Sequence, residues 1–213
     1  MKFNNILIVG AHYDDTELGA GGTAAKLAEI GKKVYKLTLT NNETDFKYYG
    51  VKVDQKTSQL SSEQACQILG MEEITDFKPA MCNELVYSKE MMQQIEAIVF
   101  DKKIDAVFMH FRFDINQDHL AAYQLCLTAA RHCKNLFAFQ SNNYICEQVY
   151  NPVYFIDISK QIEKKKAALS AYGSEHNRFN KLFETKLEMN HVWGAQNHVE
   201  YAEGFHVIKM LDD

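Results

Sequence analysis

Short apolar runs alternate with longer stretches of helical hydrophobic spacing along this chain. The apolar runs predict strands at about 5–10, 33–39, 104–110 and 153–158. Apolar residues at helical spacing predict helices at about 20–31, 57–69, 88–101, 119–133, 160–172 and 178–190. Strands that are apolar throughout and separated by helices are typical of a parallel sheet covered on both faces. The pattern therefore predicts a Rossmann-like α/β fold, with a mostly parallel sheet flanked by helices on both faces.

Composition narrows the class of protein and the cellular compartment in which it is expected. The chain has 213 residues, of which 46% are hydrophobic and 24% charged, and this predicts one globular domain over 1–213. A net charge of −5 argues against a nucleic-acid partner. The apolar run Ile6 to Val9 is too short for a membrane span or a signal peptide. Five cysteines with no Cys-x-x-Cys pair favour reduced thiols, and so a cytoplasmic location.

The turn after the first predicted strand carries candidate chemistry. Position 12 is His12 rather than glycine, so the turn lacks the Gly-x-Gly-x-x-Gly pattern of a dinucleotide site. His12, Asp14 and Asp15 instead offer an imidazole and two carboxylates, the ligand types that zinc takes in catalytic sites. A divalent cation would offset the repulsion between adjacent carboxylates at a buried strand end. The alternative is a solvated polar turn that only caps the next helix.

A second polar cluster follows the strand predicted at 104–110. His110 ends that strand, and Asp114, Asp118 and His119 follow it. Asp114 and Asp118 flank His119 and are able to accept its second ring N–H, as outer carboxylates do for zinc-bound histidine. Both clusters lie where open α/β sheets bind ligands, beyond the carboxyl ends of strands. The alternative is that His110 is an ordinary core histidine and that Asp118 caps a helix.

Two further segments carry expectations. The polar stretch 41–51 follows the second predicted strand and is a candidate loop for contacts with a substrate or a second subunit. Gly19, Gly21 and Gly22 are expected to let the next helix lie close against the sheet.

Together the two clusters resemble the PIG-L / LmbE-like family of zinc-dependent de-N-acetylases. The family's Ala-His-Pro-Asp-Asp motif stands here at 11–15, and its Asp-His motif stands at 118–119. Further similarities lie at 17–23, 69–70 and 201–205, so the resemblance covers nearly the whole chain in the family's order. It implies that His12, Asp15 and His119 bind Zn²⁺ and that Asp14 is the general base. Fe²⁺, Mn²⁺ and Co²⁺ also suit such a ligand set.

The resemblance also implies an activity and a substrate class. The expected reaction is hydrolysis of a linear amide, removing the N-acetyl group from an amino sugar or sugar conjugate in bacterial glycan or polysaccharide biosynthesis. Metal-bound water would attack the amide, with Asp14 taking the proton. The alternatives are a non-sugar amidase or deformylase, and a non-catalytic metal-binding member of the family. The aromatic C-terminal third makes a homo-oligomer a further expectation.

Several positions depart from the family's pattern and bear on the substrate. Tyr13 replaces the motif's proline, and Asn116 stands where many members have a histidine thought to stabilise the oxyanion. Ser58 stands where many members have a substrate-binding arginine, for which Lys56 or Arg112 could substitute. Tyr172 and Glu175 replace a histidine and a glutamine. The candidate substrate or transition-state residues are therefore His110, Arg112, Asp114 and Asn116, with Asp118 supporting the metal ligands from behind.

Overall fold

A seven-stranded sheet forms the centre of the molecule. The structure is a computed structural model that describes residues 3–49, 51–144, 146–173 and 180–211. Its strands are β1 (Asn5–Gly10), β2 (Lys33–Thr38), β3 (Thr44–Phe46), β4 (Val51–Val53), β5 (Glu72–Glu73), β6 (Ala106–His110), β7 (Asn135–Phe139), β8 (Tyr154–Asp157) and β9 (Ala202–Lys209). Its helices are α1 (Asp15–Glu29), α2 (Gln55–Leu69), α3 (Lys89–Asp101), α4 (Gln117–Ala129), α5 (Ile162–Ser170) and α6 (Asn180–Gln196).

The main sheet is parallel except for one strand. Its order is β5-β2-β1-β6-β7-β9-β8, and β3 with β4 forms a separate antiparallel hairpin. The neighbours from β5 to β7 pair in parallel, whereas β9 runs antiparallel to both β7 and β8. This arrangement confirms the predicted mostly parallel α/β sheet. The carboxyl ends of β1, β2 and β6 consequently meet at one edge.

Both faces of the sheet are buried, because successive side chains of a strand point to opposite faces. On β1, Ile6 and Ile8 join one apolar cluster, which includes residues of α1, α2 and α5. Leu7 and Val9 join the other, which includes residues of α3 and α4. The predicted helices on both faces of the sheet are therefore confirmed.

The element boundaries differ from the prediction in identifiable places. Helix α1 begins at Asp15 rather than near 20, so the polar motif itself runs into the helix. The hairpin β3–β4 and the strands β5, β7 and β9 were not predicted. Strand β5 consists of two glutamates, which carry no strand pattern. The start of the helix predicted at 178–190, and Glu175 with it, lie outside the described residues.

Helix α1 packs unusually close to the sheet. A Cβ atom on Gly19 would lie 2.2 Å from the Phe139 ring, and one on Gly22 would lie 2.7 Å from Ile158. Gly21 has no neighbour closer than 3.5 Å, so the expectation for the three glycines is right for two of them. Within the described residues, none of the helices combines the length and the apolar character needed to cross a membrane.

Candidate metal centre and pocket

The turn from β1 into α1 brings the first polar cluster to the carboxyl edge of the sheet. The chain reverses so tightly that a Cβ atom on Gly10 would lie 2.7 Å from the carbonyl oxygen of His12. The Oδ2 atom of Asp15 accepts a hydrogen bond from the His12 N–H at 2.7 Å, which closes the turn. Asp14 is the N-cap residue of α1, yet its side chain makes no capping hydrogen bond. The polar residues of this turn are therefore not explained by helix capping alone.

Three side chains that are able to bind a metal ion come together next to this turn, from two segments that are far apart in the sequence. We call this cluster of His12, Asp15 and His119 the donor triangle. The Nδ1 atom of His12 lies 3.3 Å from the Asp15 carboxylate, and the Nε2 atom of His119 lies 3.3 Å from the same carboxylate. The two imidazole nitrogens are also 3.3 Å apart. Four ligands arranged tetrahedrally about 2.0–2.1 Å from a zinc ion are separated by about 3.3 Å. The two distances to Asp15 end on different oxygens of its carboxylate, and one ligand atom from each of the three residues lies within 4.8 Å of the others, which is close enough for them to bind one divalent cation.

The second ring nitrogen of each histidine forms a hydrogen bond with a carboxylate. The Oδ2 atom of Asp114 lies 2.9 Å from His119 Nδ1, and the Oδ2 atom of Asp118 lies 3.1 Å from His12 Nε2. Such partners fix the tautomer that turns the other ring nitrogen toward a metal. Of the two aspartates expected to flank His119, only Asp114 bonds to its ring, and Asp118 bonds to His12 from the neighbouring segment instead.

Neighbouring charges and hydrogen bonds shift the pKa values of the titratable groups in this cluster. Burial by itself raises the pKa of Asp15, but the neighbouring His119 and His110 outweigh burial and hold this pKa well below its usual value. Burial lowers the pKa of His119, but Asp15 and Asp114 outweigh that effect and raise it to about 9. Hydrogen bonds to Asp118 and Asp15 likewise raise the pKa of His12 against the effect of burial. Without a metal the cluster therefore holds protons that a cation would displace.

His110 contacts the candidate metal ligands from the protein interior and does not line the pocket. It is fully buried, its ring stacks on that of His119 at a centroid distance of 4.0 Å, and its Nε2 accepts the Ala11 N–H at 3.0 Å. Burial, and then the charge of His119, lower the pKa of His110. The Nε2 atom is also 3.2 Å from Asp15 Oδ2. His110 therefore packs against the candidate ligands from inside the protein.

A pocket with a volume of about 100 Å³ opens over the donor triangle. It is lined by His12, Asp14, Asp15, Leu18, Asn42, Thr44, Val53, Cys82, Asn83, Asn116, His119, Asn142, Tyr144 and Leu182. The segment 41–51, a candidate loop for contacts with a substrate or a second subunit, contributes Asn42 and Thr44 to this wall. Sequence reasoning did not single out Cys82, Asn83, Asn142, Tyr144 and Leu182. Only chain position could have indicated Asn142 and Tyr144, because both follow strand β7, whose carboxyl end lies at the same edge of the sheet as that of β6.

Two asparagines of the pocket wall have contrasting partners. The carboxamide oxygen of Asn116 accepts the N–H groups of Asp118 and His119 at 2.9 and 3.4 Å, which caps α4. The carboxamide oxygen of Asn142 is buried and has no hydrogen-bond partner among the described residues. An unsatisfied buried acceptor costs free energy unless a ligand or water supplies the missing donor. Asn142 therefore places an unsatisfied buried acceptor beside the pocket.

The cationic side chains considered for substrate binding do not reach this pocket. Arg112 is exposed and lies over the Phe113 ring at 4.4 Å, and neither Arg112 nor the exposed Lys56 lines the pocket. Ser58 is buried and accepts a hydrogen bond from Asn42 Nδ2 at 2.9 Å. The position where many family members have arginine thus supports a neutral pocket residue in this chain. The expectation that Arg112 or Lys56 substitutes for that arginine has no support in this geometry.

Known proteins resemble this chain in sequence and in fold. The family described as PIG-L, GlcNAc-PI de-N-acetylase, matches residues 7–130. An uncharacterised deacetylase of Escherichia coli, YaiS, is 30% identical over 147 residues, covering 66% of this chain and 75% of its own. The diacetylchitobiose deacetylase of Thermococcus kodakarensis is 26% identical over 190 residues, covering 80% and 69% of the two chains. The chain belongs to the PIG-L family, and this confirms the resemblance carried by its two motifs.

The fold by itself does not select one reaction. The crystal structure of GalB, the 4-carboxy-2-hydroxymuconate hydratase of Pseudomonas putida, superposes with a TM-score of 0.83 at 20% identity. That comparison covers 99% of this chain and 98% of the hydratase. The same fold therefore also occurs in a protein named as a hydratase. The reaction of this chain must therefore be argued from its own site.

Proposed function

We propose that this protein is a zinc-dependent hydrolase that removes the N-acetyl group from an amino sugar or sugar conjugate. The observation that carries the proposal is the cluster of His12, Asp15 and His119, with Asp14 lining the same pocket. Divalent zinc bound there would supply a water of lowered pKa and polarise the amide carbonyl. Fe²⁺, Mn²⁺ and Co²⁺ suit the same donors and are included in the test.

Different residues of this chain then transfer the protons and stabilise the negative charge that develops on the carbonyl oxygen. Asp14 takes the proton from the attacking water and returns it to the nitrogen of the leaving amine. The Nδ2 group of Asn116 donates to the carbonyl oxygen as negative charge develops on it, because the Oδ1 of this residue is already engaged in the helix cap. Asp114 and Asp118 keep the two histidines in the orientation that the ligands need.

The pocket wall favours a substrate rich in hydroxyl groups. Asn42, Asn83, Asn116 and Asn142 line it, and carboxamides both donate to and accept from sugar hydroxyls. We assign the unpartnered oxygen of Asn142 to a substrate hydroxyl or amide N–H. The diacetylchitobiose deacetylase among the relatives supports an N-acetylated sugar as the substrate class. We further place the reaction in the cytoplasm and in bacterial glycan synthesis.

The decisive experiment measures which acyl group and which carrier the zinc-loaded protein accepts. The panel contains N-acetylglucosamine, N,N′-diacetylchitobiose, UDP-N-acetylglucosamine, N-formylglucosamine and an N-acetyl amino acid, with released amine and released acid both quantified. We expect acetate and free amine in equal amounts from an N-acetyl sugar. Faster release from the formyl sugar or from the amino acid would support a deformylase or a non-sugar amidase instead.

A matched variant separates catalysis from contamination and from simple binding. Asp14→Asn keeps the three metal ligands and is expected to bind zinc without turnover. Zinc bound with no hydrolysis of any member of the panel by the unaltered protein would support a non-catalytic metal-binding role. Hydration of 4-carboxy-2-hydroxymuconate with no amide hydrolysis would support the reaction named for GalB.

A further inference from the structure

A lysine in the middle of strand β2 is fully buried beneath the catalytic turn. The ammonium group of Lys36 donates to the carbonyl oxygen of Tyr13 at 2.6 Å, to Glu17 Oε1 at 2.7 Å and to the Tyr172 hydroxyl at 3.1 Å. An ammonium group has three protons, so these acceptors satisfy it completely. Lys36, Glu17 and Tyr172 have essentially no exposed surface. This network, which we call the Lys36 cluster, is therefore a buried arrangement of hydrogen bonds.

The carbonyl of Tyr13 is held from two directions. Besides the Lys36 ammonium, the hydroxyl of Tyr172 donates to the same oxygen at 2.9 Å. Tyr172 follows α5 and is 159 positions away in the sequence. Two buried donors on one carbonyl fix the orientation of the peptide group to which it belongs. The peptide bond between Tyr13 and Asp14 is therefore anchored to both β2 and the segment after α5.

That peptide bond lies between a metal ligand and the general base. Because a peptide group is planar, orienting the Tyr13 carbonyl also orients the N–H and Cα of Asp14. A proline at position 13 would restrict φ at this point, whereas tyrosine leaves it free. We propose that Lys36 and Tyr172 are positioning residues that fix the Tyr13–Asp14 peptide and thereby aim the Asp14 carboxylate. The proposal rests on the proposed role of Asp14 as the base.

Stability alone explains this cluster poorly. Removing a lysine and a glutamate from water is costly, and well-packed apolar residues often serve stability as well or better. Glu17 needs a further partner for its second oxygen, which the Thr16 hydroxyl supplies at 2.7 Å. Buried ionic groups that are fully hydrogen-bonded suit the fixing of one conformation. A conformation fixed immediately below the pocket bears directly on catalysis.

The test uses Tyr172→Phe, which removes one hydroxyl and leaves the buried ion pair intact. Its matched control is Tyr150→Phe, since the Tyr150 hydroxyl also bonds to backbone carbonyls, those of Ala138 and Gly204, away from the turn. For Tyr172→Phe we expect kcat to fall roughly ten- to a hundredfold, with KM and bound zinc unchanged. The control should keep kcat within about twofold at a similar loss of thermal stability.

A second readout does not depend on activity. In metal-free protein, the backbone amide resonances of Asp14 and Asp15 should shift in Tyr172→Phe and stay in place in Tyr150→Phe. Unmoved amides, or equal losses of kcat in the two variants, would overturn the positioning role. Shifted amides in a protein that hydrolyses no N-acyl substrate would uphold the positioning of the turn and sink the proposed function instead.

Discussion

The Nδ1 atom of His12 and the Nε2 atom of His119 lie 3.3 Å apart although the residues are 107 positions apart in the chain. Each ring is held on its other nitrogen by an aspartate. Two imidazoles held in this way beside a buried carboxylate form a candidate ligand set for a divalent cation. Several measurable consequences depend on this relationship and on the packing that produces it.

Asp114→Asn should weaken zinc binding by about 10- to 100-fold, because His119 loses the acceptor that orients its ring. Competition with a chromophoric zinc chelator measures the change. Asp105→Asn is the matched control, since the Asp105 carboxylate accepts the N–H groups of Asn4 and Asn5 away from the site. Equal zinc affinity for the two variants would contradict the role of Asp114.

The stabilising effect of zinc should increase with pH. The pKa of His119 is raised from 6.5 to about 9 in the metal-free fold, so its protonation stabilises that fold fully below pH 6.5. This contribution is lost as the pH rises toward 9, while zinc needs the same imidazole deprotonated. The increase in Tm on zinc addition should therefore grow between pH 6.5 and 9. Thermal scans with zinc or with a chelator measure it, and a constant difference would argue against protonated ligands.

Asn142→Ala should raise KM about fivefold for the best sugar substrate, with a smaller effect on kcat. The reason is the loss of one hydrogen-bond acceptor for the ligand, a loss worth about 1 kcal/mol. Steady-state kinetics measures the change. Gln93→Ala, on the remote helix α3, is the matched control and should leave KM unchanged. An unaltered KM for Asn142→Ala would remove this residue from the substrate site.

Gly19→Ala and Gly21→Ala should have opposite effects on stability although they lie on the same helix. The added methyl group at Gly19 would overlap the Phe139 ring, and overpacking of this kind costs about 1–3 kcal/mol. At Gly21 the nearest atom is at 3.5 Å, so the gain in helix propensity, up to about 1 kcal/mol, should dominate. Chemical denaturation measures both. A stable Gly19→Ala would show that α1 does not pack as closely as described.

The parts of the site that could be predicted are those encoded locally. His12, Asp15 and His119 each follow a strand that is apolar enough to recognise, and parallel strands bring their carboxyl ends to one edge. The fold class followed from the same strands. Strand β9 escaped prediction because its pairing with β7 and β8 depends on segments far apart in the chain.

The partners of these residues could not be predicted, because they depend on tertiary packing. Neighbourhood in sequence placed Asp118 next to His119, yet its carboxylate bonds to His12 from the other segment. Arg112 stands close to the motif in sequence, but its side chain is exposed. Lys36 offered one visible signal, a charged residue inside an otherwise buried strand. Only the structure shows that its ammonium group bonds to the carbonyl of Tyr13.

The central claim is tested most directly by acetate release from an N-acetyl sugar under single-turnover conditions. Metal-free protein, zinc-loaded protein and zinc-loaded Asp14→Asn are compared at equal concentration. We predict about one acetate per site for the zinc-loaded protein and none within the same time for the other two. Release by the metal-free protein, or undiminished release by Asp14→Asn with zinc bound, would contradict a metal-dependent deacetylase that uses Asp14 as its base.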